Sequence, residues 1–131
     1  TDAGAAFAIT QFFFTTDAYL RLRDRVAARG RPLPIIPGLM PVTNVRQLAR
    51  MTELSGQPVP KEVAERLEAV DGDPAAVREV GVQIATELAQ SLLAEGAPGI
   101  HFITMNRSPA TLQVWDNLGL EAAQWGATAP A

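Results

Sequence analysis

An α/β fold built on a parallel sheet is predicted by three features of the 131-residue sequence. Short apolar runs of strand length alternate with longer stretches of helical periodicity, the pattern of parallel strands joined by right-handed crossovers. The first run, Phe7 to Phe14, is almost continuously apolar, as in a strand covered on both faces. Helix-start and helix-stop residues then punctuate the chain where the periodicity changes. Two architectures satisfy this order: an open doubly wound sheet, or part of a (β/α)8 barrel. A complete barrel takes about 250 residues, and only three strands are readable here. Three parallel strands standing alone would leave bare hydrophobic edges, so a piece of a larger assembly is expected.

The elements follow in order. After the strand Phe7 to Phe14, the N-cap types Thr15, Thr16 and Asp17 open a helix carrying Tyr19, Leu22 and Val26 and stopping at Gly30. A second strand is expected over Leu33 to Ile36, bracketed by Pro32 and Pro37, with Pro34 inside it lacking a ladder donor. The punctuated loop Pro37 to Asn44 leads to a helix with Val45, Leu48 and Leu54 on one side and Gly56 at its end. Pro60 suits the first position of a short helix bearing Val63, Leu67 and Val70. Asp73 and Pro74 start a long helix whose apolar face is read as Val77, Val80, Ile84, Leu88 and Leu92, ending at Gly96. Gly99 to Met105 is the third strand. Ser108 and Pro109 begin a last helix with Leu112, Trp115 and Leu118. The alanine-rich end, residues 121–131 with its lone Trp125, is expected to be a poorly ordered tail after one domain of residues 1–120.

Composition removes several functions. Hydrophobic residues are 47% and charged residues 19%, which supports a packed core and argues against intrinsic disorder. Eleven basic against fourteen acidic residues give a net charge of −3, no footprint for a nucleic acid. No apolar run has bilayer length and no basic-then-apolar leader opens the chain, so no membrane partner is expected. With no cysteine and one histidine, disulfides, thiolate sites, a Ser–His pair and a multi-histidine metal centre are not expected. Glycine-rich phosphate loops are absent as well.

Polar residues at the carboxyl ends of strands carry function in both architectures. Gln11 interrupts the apolar run, where an amide must be paired if buried; it either bonds neighbouring backbone or offers a planar donor–acceptor edge to a heterocycle. Asn44 and Gln47 have the spacing of a capping box. Arg107, between a strand end and a helix start, suits either a surface ion pair or an anionic ligand. His101, between Ile100 and Phe102, reads as a structural histidine, and Arg21, Arg23 and Arg25 as a solvated helix face.

Three blocks resemble the methylenetetrahydrofolate reductase family in order and spacing. They are Ala8-Ile9-Thr10-Gln11-Phe12-Phe13-Phe14 with Tyr19-Leu20-Arg21, then Ile35-Ile36-Pro37-Gly38-Leu39-Met40-Pro41-Val42-Thr43-Asn44, then His101-Phe102-Ile103-Thr104-Met105-Asn106-Arg107. The resemblance spans about residues 3–120 and implies the carboxyl-terminal part of a flavin-binding (β/α)8 barrel. It implies reduction of 5,10-methylenetetrahydrofolate to 5-methyltetrahydrofolate by NAD(P)H through bound FAD, in the cytoplasm, within one-carbon metabolism and methionine biosynthesis. It further implies Gln11 at the pterin edge beside the nicotinamide, and Gln47 and Arg107 as folate contacts. Thr15, Met51 and Ile103 depart from residues common in the family. The family's acidic general acid has no counterpart in the sequence, so no catalytic residue and no metal ligand is expected here, and most FAD contacts are expected from an amino-terminal half. The isolated chain is therefore expected to be inactive, and to associate either with copies of itself or with that half. The alternative is a non-enzymatic α/β module that binds folate or assembles as a half-barrel.

Overall fold

The computed structural model describes residues 2–30, 33–56 and 58–120, so the expected tail at residues 121–131 lies outside the described residues. Three parallel strands, β1 (Ala8–Phe12), β2 (Ile35–Leu39) and β3 (His101–Phe102), form one sheet in the order β1-β2-β3. Helix α1 (Thr16–Ala27) joins the first two strands. Helices α2 (Val45–Ser55), α3 (Lys61–Glu68) and α4 (Pro74–Ala94) join β2 to β3, and α5 (Pro109–Asn117) follows. The fold is α/β, and neighbours in sequence are neighbours in the sheet, as around a (β/α)8 barrel. A doubly wound sheet would instead reverse its order at a switch point.

Coverage of the sheet is one-sided. Ile35 and Leu39 of β2 pack with α4 and α5, together with Phe13 and Tyr19, in one core. On β1, Ile9 is 48% exposed and Gln11 is exposed, so the expectation of a first strand covered on both faces does not hold for the described residues. The continuous apolar run reflects strand propensity and one buried side, and its other side lacks a covering layer here.

The second strand runs later than expected, through Pro37 rather than ending before it. Proline cannot give a ladder hydrogen bond, but on β2 it is Pro34 and Gly38 that bond toward β1 and Leu39 that bonds toward the β3 side, so the donor missing at Pro37 falls on the β3 side. Ile9 pairs with Ile36 and Phe12 with Gly38, which leaves β1 one residue long opposite Pro37, a β-bulge at Thr10–Gln11. The Gly38 N–H donates to Thr10 Oγ1 at 2.9 Å. A Cβ on Gly38 would run into the Thr10 carbonyl, so this close approach requires glycine. The third strand is two residues long instead of seven, because the chain turns away soon after Phe102.

Helix α4 is the centre of the fold. The sequence suggests one apolar face, but α4 buries two: Val82, Ala85, Leu88, Ala89 and Leu92 in the sheet core, and Val77 and Ile84 in a second core with Val42, Leu48, Val63 and Leu67. Of its small residues, Ala85 and Ala89 lie in the sheet core and Gly81 meets Val42 of the second, positions that a pattern counting large side chains passes over. In α5 the buried residues are Ala110 and Val114, while Leu112 is exposed, which corrects the face read from Leu112 and Trp115. Leu54 is also 78% exposed rather than packed with Leu48. Asp73 caps α4 by accepting from the Ala75 and Ala76 N–H groups, whereas Ser108 and Thr15 make no side-chain cap. Pro60 precedes α3 as its cap residue instead of occupying its first turn.

Polar links clamp the helices together. Arg66 of α3 grips Glu87 of α4 with two hydrogen bonds of 2.7 and 3.0 Å. These bonds hold the Glu87 carboxyl below the usual glutamate range; desolvation opposes the shift and the guanidinium charge adds to it. A lowered folded pKa gives stability that is present above the unfolded value and lost as pH falls through the folded one. The pair is solvated, so Glu87→Gln should cost about 0.5 kcal/mol at neutral pH. The variant should match the parent in urea melts below the glutamate range. A difference that persisted there would mean that packing, not charge, carries the effect.

Candidate functional site

β2 and β3 end side by side, and the two segments that leave them form the walls of a cleft. Beyond β3 the Ile103 N–H still donates to the Leu39 carbonyl at 2.8 Å, which keeps the walls together at their base. One wall is Met40 to Asn44 with Gln47 and Leu48 of α2; the other is Ile103, Thr104, Met105 and Arg107 with the first turn of α5. This is the carboxyl end of the strands, where open and closed α/β sheets place their ligands.

The first wall is held from behind. Val42 is buried in the second core, and its carbonyl lies against Gly81 of α4 where any side chain would collide. At its end Asn44 is extended (φ −158°) and its Oδ1 accepts the Gln47 N–H at 3.1 Å, capping α2. The capping box is thus half formed. Among the described residues the Gln47 side-chain amide has no hydrogen-bond partner and remains free at the cleft. Asn44→Ala should lower stability by about 1 kcal/mol in urea denaturation through loss of the cap. An unchanged midpoint would show that α2 is anchored by Leu48 alone.

The second wall is shaped by its backbone. Met105 and Asn106 have φ of 48° and 60°, and the Arg107 N–H closes the turn on the Thr104 carbonyl at 2.8 Å. Two consecutive left-handed residues joined by such a bond match the type I′ turn, which is costly for side chains other than asparagine or glycine. Arg107 is exposed and forms no ion pair among the described residues, so the surface-pair alternative is not met there.

Gln47 and Arg107 therefore face one cleft from opposite walls, and Gln11 does not join them. Gln11 borders a separate hollow between β1 and α1, with Phe13, Ala18, Tyr19 and Leu22, next to the bulge that breaks the strand's alternation. Being exposed, its amide does not carry the burial cost expected from the apolar run. His101 pairs across the sheet with Gly38 and is half-buried. Sequence reasoning passed over Thr43 and Thr104, which add hydroxyls to the cleft, and over the left-handed turn. The one available signal for the turn was Asn106, the side chain that best tolerates positive φ.

The cleft holds about 30 Å³ of free space, room for a water or two. Sites that enclose ligands of folate size run to roughly 300–1,000 Å³. The cleft formed by the described residues does not by itself enclose a ligand of that size. Among the described residues no cluster of three His, Asp or Glu side chains could hold a metal ion, and no helix is long and apolar enough to cross a membrane.

The family model described as methylenetetrahydrofolate reductase matches residues 1–119. The 5,10-methylenetetrahydrofolate reductases of Pectobacterium carotovorum and Escherichia coli are 39% and 37% identical over 91% of the chain. A maize protein named methylenetetrahydrofolate reductase (NADH) 1 is 34% identical over the same share. The chain spans 40% of the length of the two bacterial relatives and 20% of the maize protein. Among solved structures, a Clostridium thermocellum protein described as binding two copies of 5-methyl-5,6,7,8-tetrahydrofolic acid shares the fold, with a TM-score of 0.52 at 17% identity over 90% of this chain and 44% of that one.

Proposed function

The chain belongs to the methylenetetrahydrofolate reductase family, and we propose that its cleft forms one wall of the site where 5,10-methylenetetrahydrofolate is reduced to 5-methyltetrahydrofolate. The observation that carries this reading is the pair of unpartnered groups on opposite walls, the Gln47 amide and the Arg107 guanidinium. A planar amide supplies a donor and an acceptor together, which matches the edge of a pterin. The guanidinium supplies a forked cation for the polar and anionic remainder of a folate. The first turns of α2 and α5 border the same cleft and add positive potential from their free N–H groups. Folate binding by the Clostridium thermocellum neighbour supports the same ligand class.

NAD(P)H is the proposed hydride source, supported by the NADH in the maize relative's name, and a cytoplasmic setting belongs to the same proposal. FAD supplies the hydride relay when bound, but the described residues do not fit it. Their cleft is far too small for an isoalloxazine ring, and the sheet's open face offers no cradle at Ile9. The flavin seat is therefore proposed to lie in the remainder of the relatives' length. That remainder would also cover the exposed face of β1, where Gln11 would then stand toward the nicotinamide. Residues 1–120 act in this reading as the β/α units that complete a barrel, and the 131 residues alone are expected not to turn over.

The test is binding of 5-methyltetrahydrofolate to the full-length protein that contains this chain. Arg107→Ala and Gln47→Ala should each weaken it by about tenfold or more, as loss of charged or paired polar contacts does. Unchanged affinity in both variants would remove the cleft from the folate site. A colourless protein that binds folate and never oxidises NAD(P)H would favour a binding module over an enzyme.

A further inference from the structure

The turn that follows β3 is strained without any visible structural return. Met105 and Asn106 both sit at positive φ, a conformation that asparagine tolerates and that is unfavourable for the methionine before it. Met105 is 57% exposed and Asn106 is exposed, so burial of their side chains does not offset this cost. Neither side chain makes a hydrogen bond among the described residues. The turn's consequence is local: it reverses the chain within one hydrogen bond, Arg107 N–H to Thr104 O, and α5 starts two residues past Arg107 at Pro109. An extended continuation of β3 would carry Arg107 onward along the strand direction and away from Gln47. Strain kept at a ligand wall, with no packing to account for it, is the pattern of a preorganised site.

We propose that Asn106 is a positioning residue, whose tolerance of left-handed backbone holds the turn that aims Arg107 across the cleft toward the ligand's anionic or polar end. This rests on the folate reading above and adds to it a residue that touches no ligand. Asn106 acts through its backbone alone. Asn106→Gly should therefore bind like the parent, because glycine adopts positive φ freely, whereas Asn106→Val should not, because a β-branched side chain opposes it. Asn106→Ala should fall between them.

The experiment is the affinity of the full-length protein for 5-methyltetrahydrofolate in Asn106→Gly, Asn106→Val, Arg107→Ala and the double variant Asn106→Val/Arg107→Ala. Asn106→Val should lose about tenfold, and in the Arg107→Ala background it should lose nothing more, since its effect passes through the guanidinium. Thermal melts identify any variant that fails to fold, and Asn106→Ala then takes the place of the valine variant in the cycle. Equal losses for the glycine and valine variants, or a full loss from Asn106→Val in the Arg107→Ala background, would overturn the positioning role while leaving the folate site intact. Folate affinity indifferent to Arg107→Ala alone would overturn the role of Asn106, and indifference to both Arg107→Ala and Gln47→Ala would overturn the folate reading itself.

Discussion

Gly81→Ala should destabilise the protein by about 3 kcal/mol, although alanine is the better helix former. In an isolated helix the change would gain about 1 kcal/mol. Here the new methyl would overlap the Val42 carbonyl, and the contact is backbone on both sides. No rotamer change can relieve it. Either α4 moves off the Met40–Asn44 segment or that segment moves off α4, and both buried clusters meet at this point because α4 belongs to each. The second option displaces the wall that carries Asn44 and Gln47, so ligand affinity should fall together with stability. Urea denaturation gives the first number and folate titration the second. A variant more stable than the parent would mean that α4 and the loop are not in close contact.

The second large effect is expected at Tyr19. Its side chain is 1% exposed, stacks on Phe13 at 6.3 Å between ring centroids, and its hydroxyl donates to the Ile35 carbonyl at 3.1 Å. It thus joins α1 to β2 through the main core. Tyr19→Ala should cost about 3–5 kcal/mol, as expected when a buried aromatic side chain leaves a cavity. Tyr19→Phe keeps the ring and should cost about 1 kcal/mol, the worth of one hydrogen bond. Burial pushes the Tyr19 hydroxyl above the usual tyrosine pKa, and the Arg23 charge pulls it partly back. A raised folded pKa gives stability that is full below the unfolded value and lost as pH rises through the folded one. Parent stability should therefore decline in alkali more steeply than that of Tyr19→Phe. Parallel alkaline profiles would place the ionisation penalty elsewhere.

These two sites show how differently sequence and tertiary structure speak. Tyr19 was legible as a core residue from helical spacing alone. Gly81 was not, because a glycine within a helix marks a close approach without saying what approaches. The same division runs through the cleft. Gln47 was singled out through the family resemblance and Arg107 also through its place between a strand end and a helix start, and both line the cleft. Gln11 has the same polar character within an apolar run, yet it lies outside that cleft. Gln11 sits on β1, across β2 from β3, whereas the cleft opens between the segments that leave β2 and β3. Strand order is a nonlocal property and is invisible in the residues around Gln11.

What the sequence determined by itself was the class of fold and the order of its elements, because strand runs, helical periods and cap residues are local properties. Asp73 and Asn44 cap α4 and α2 as their positions imply. Only the tertiary structure decided where strands stop, which helix faces are buried and which polar groups meet. β2 passes through its proline opposite a bulge in β1, and β3 ends at Phe102, ahead of the left-handed turn at Met105 and Asn106. α4 is buried on two faces, with Ala85 and Ala89 in the sheet core and Gly81 against Val42 of the second. Each of these outcomes depends on what another part of the chain supplies, a carbonyl, a hydroxyl or a packing surface, and that supply exists only once the fold has formed.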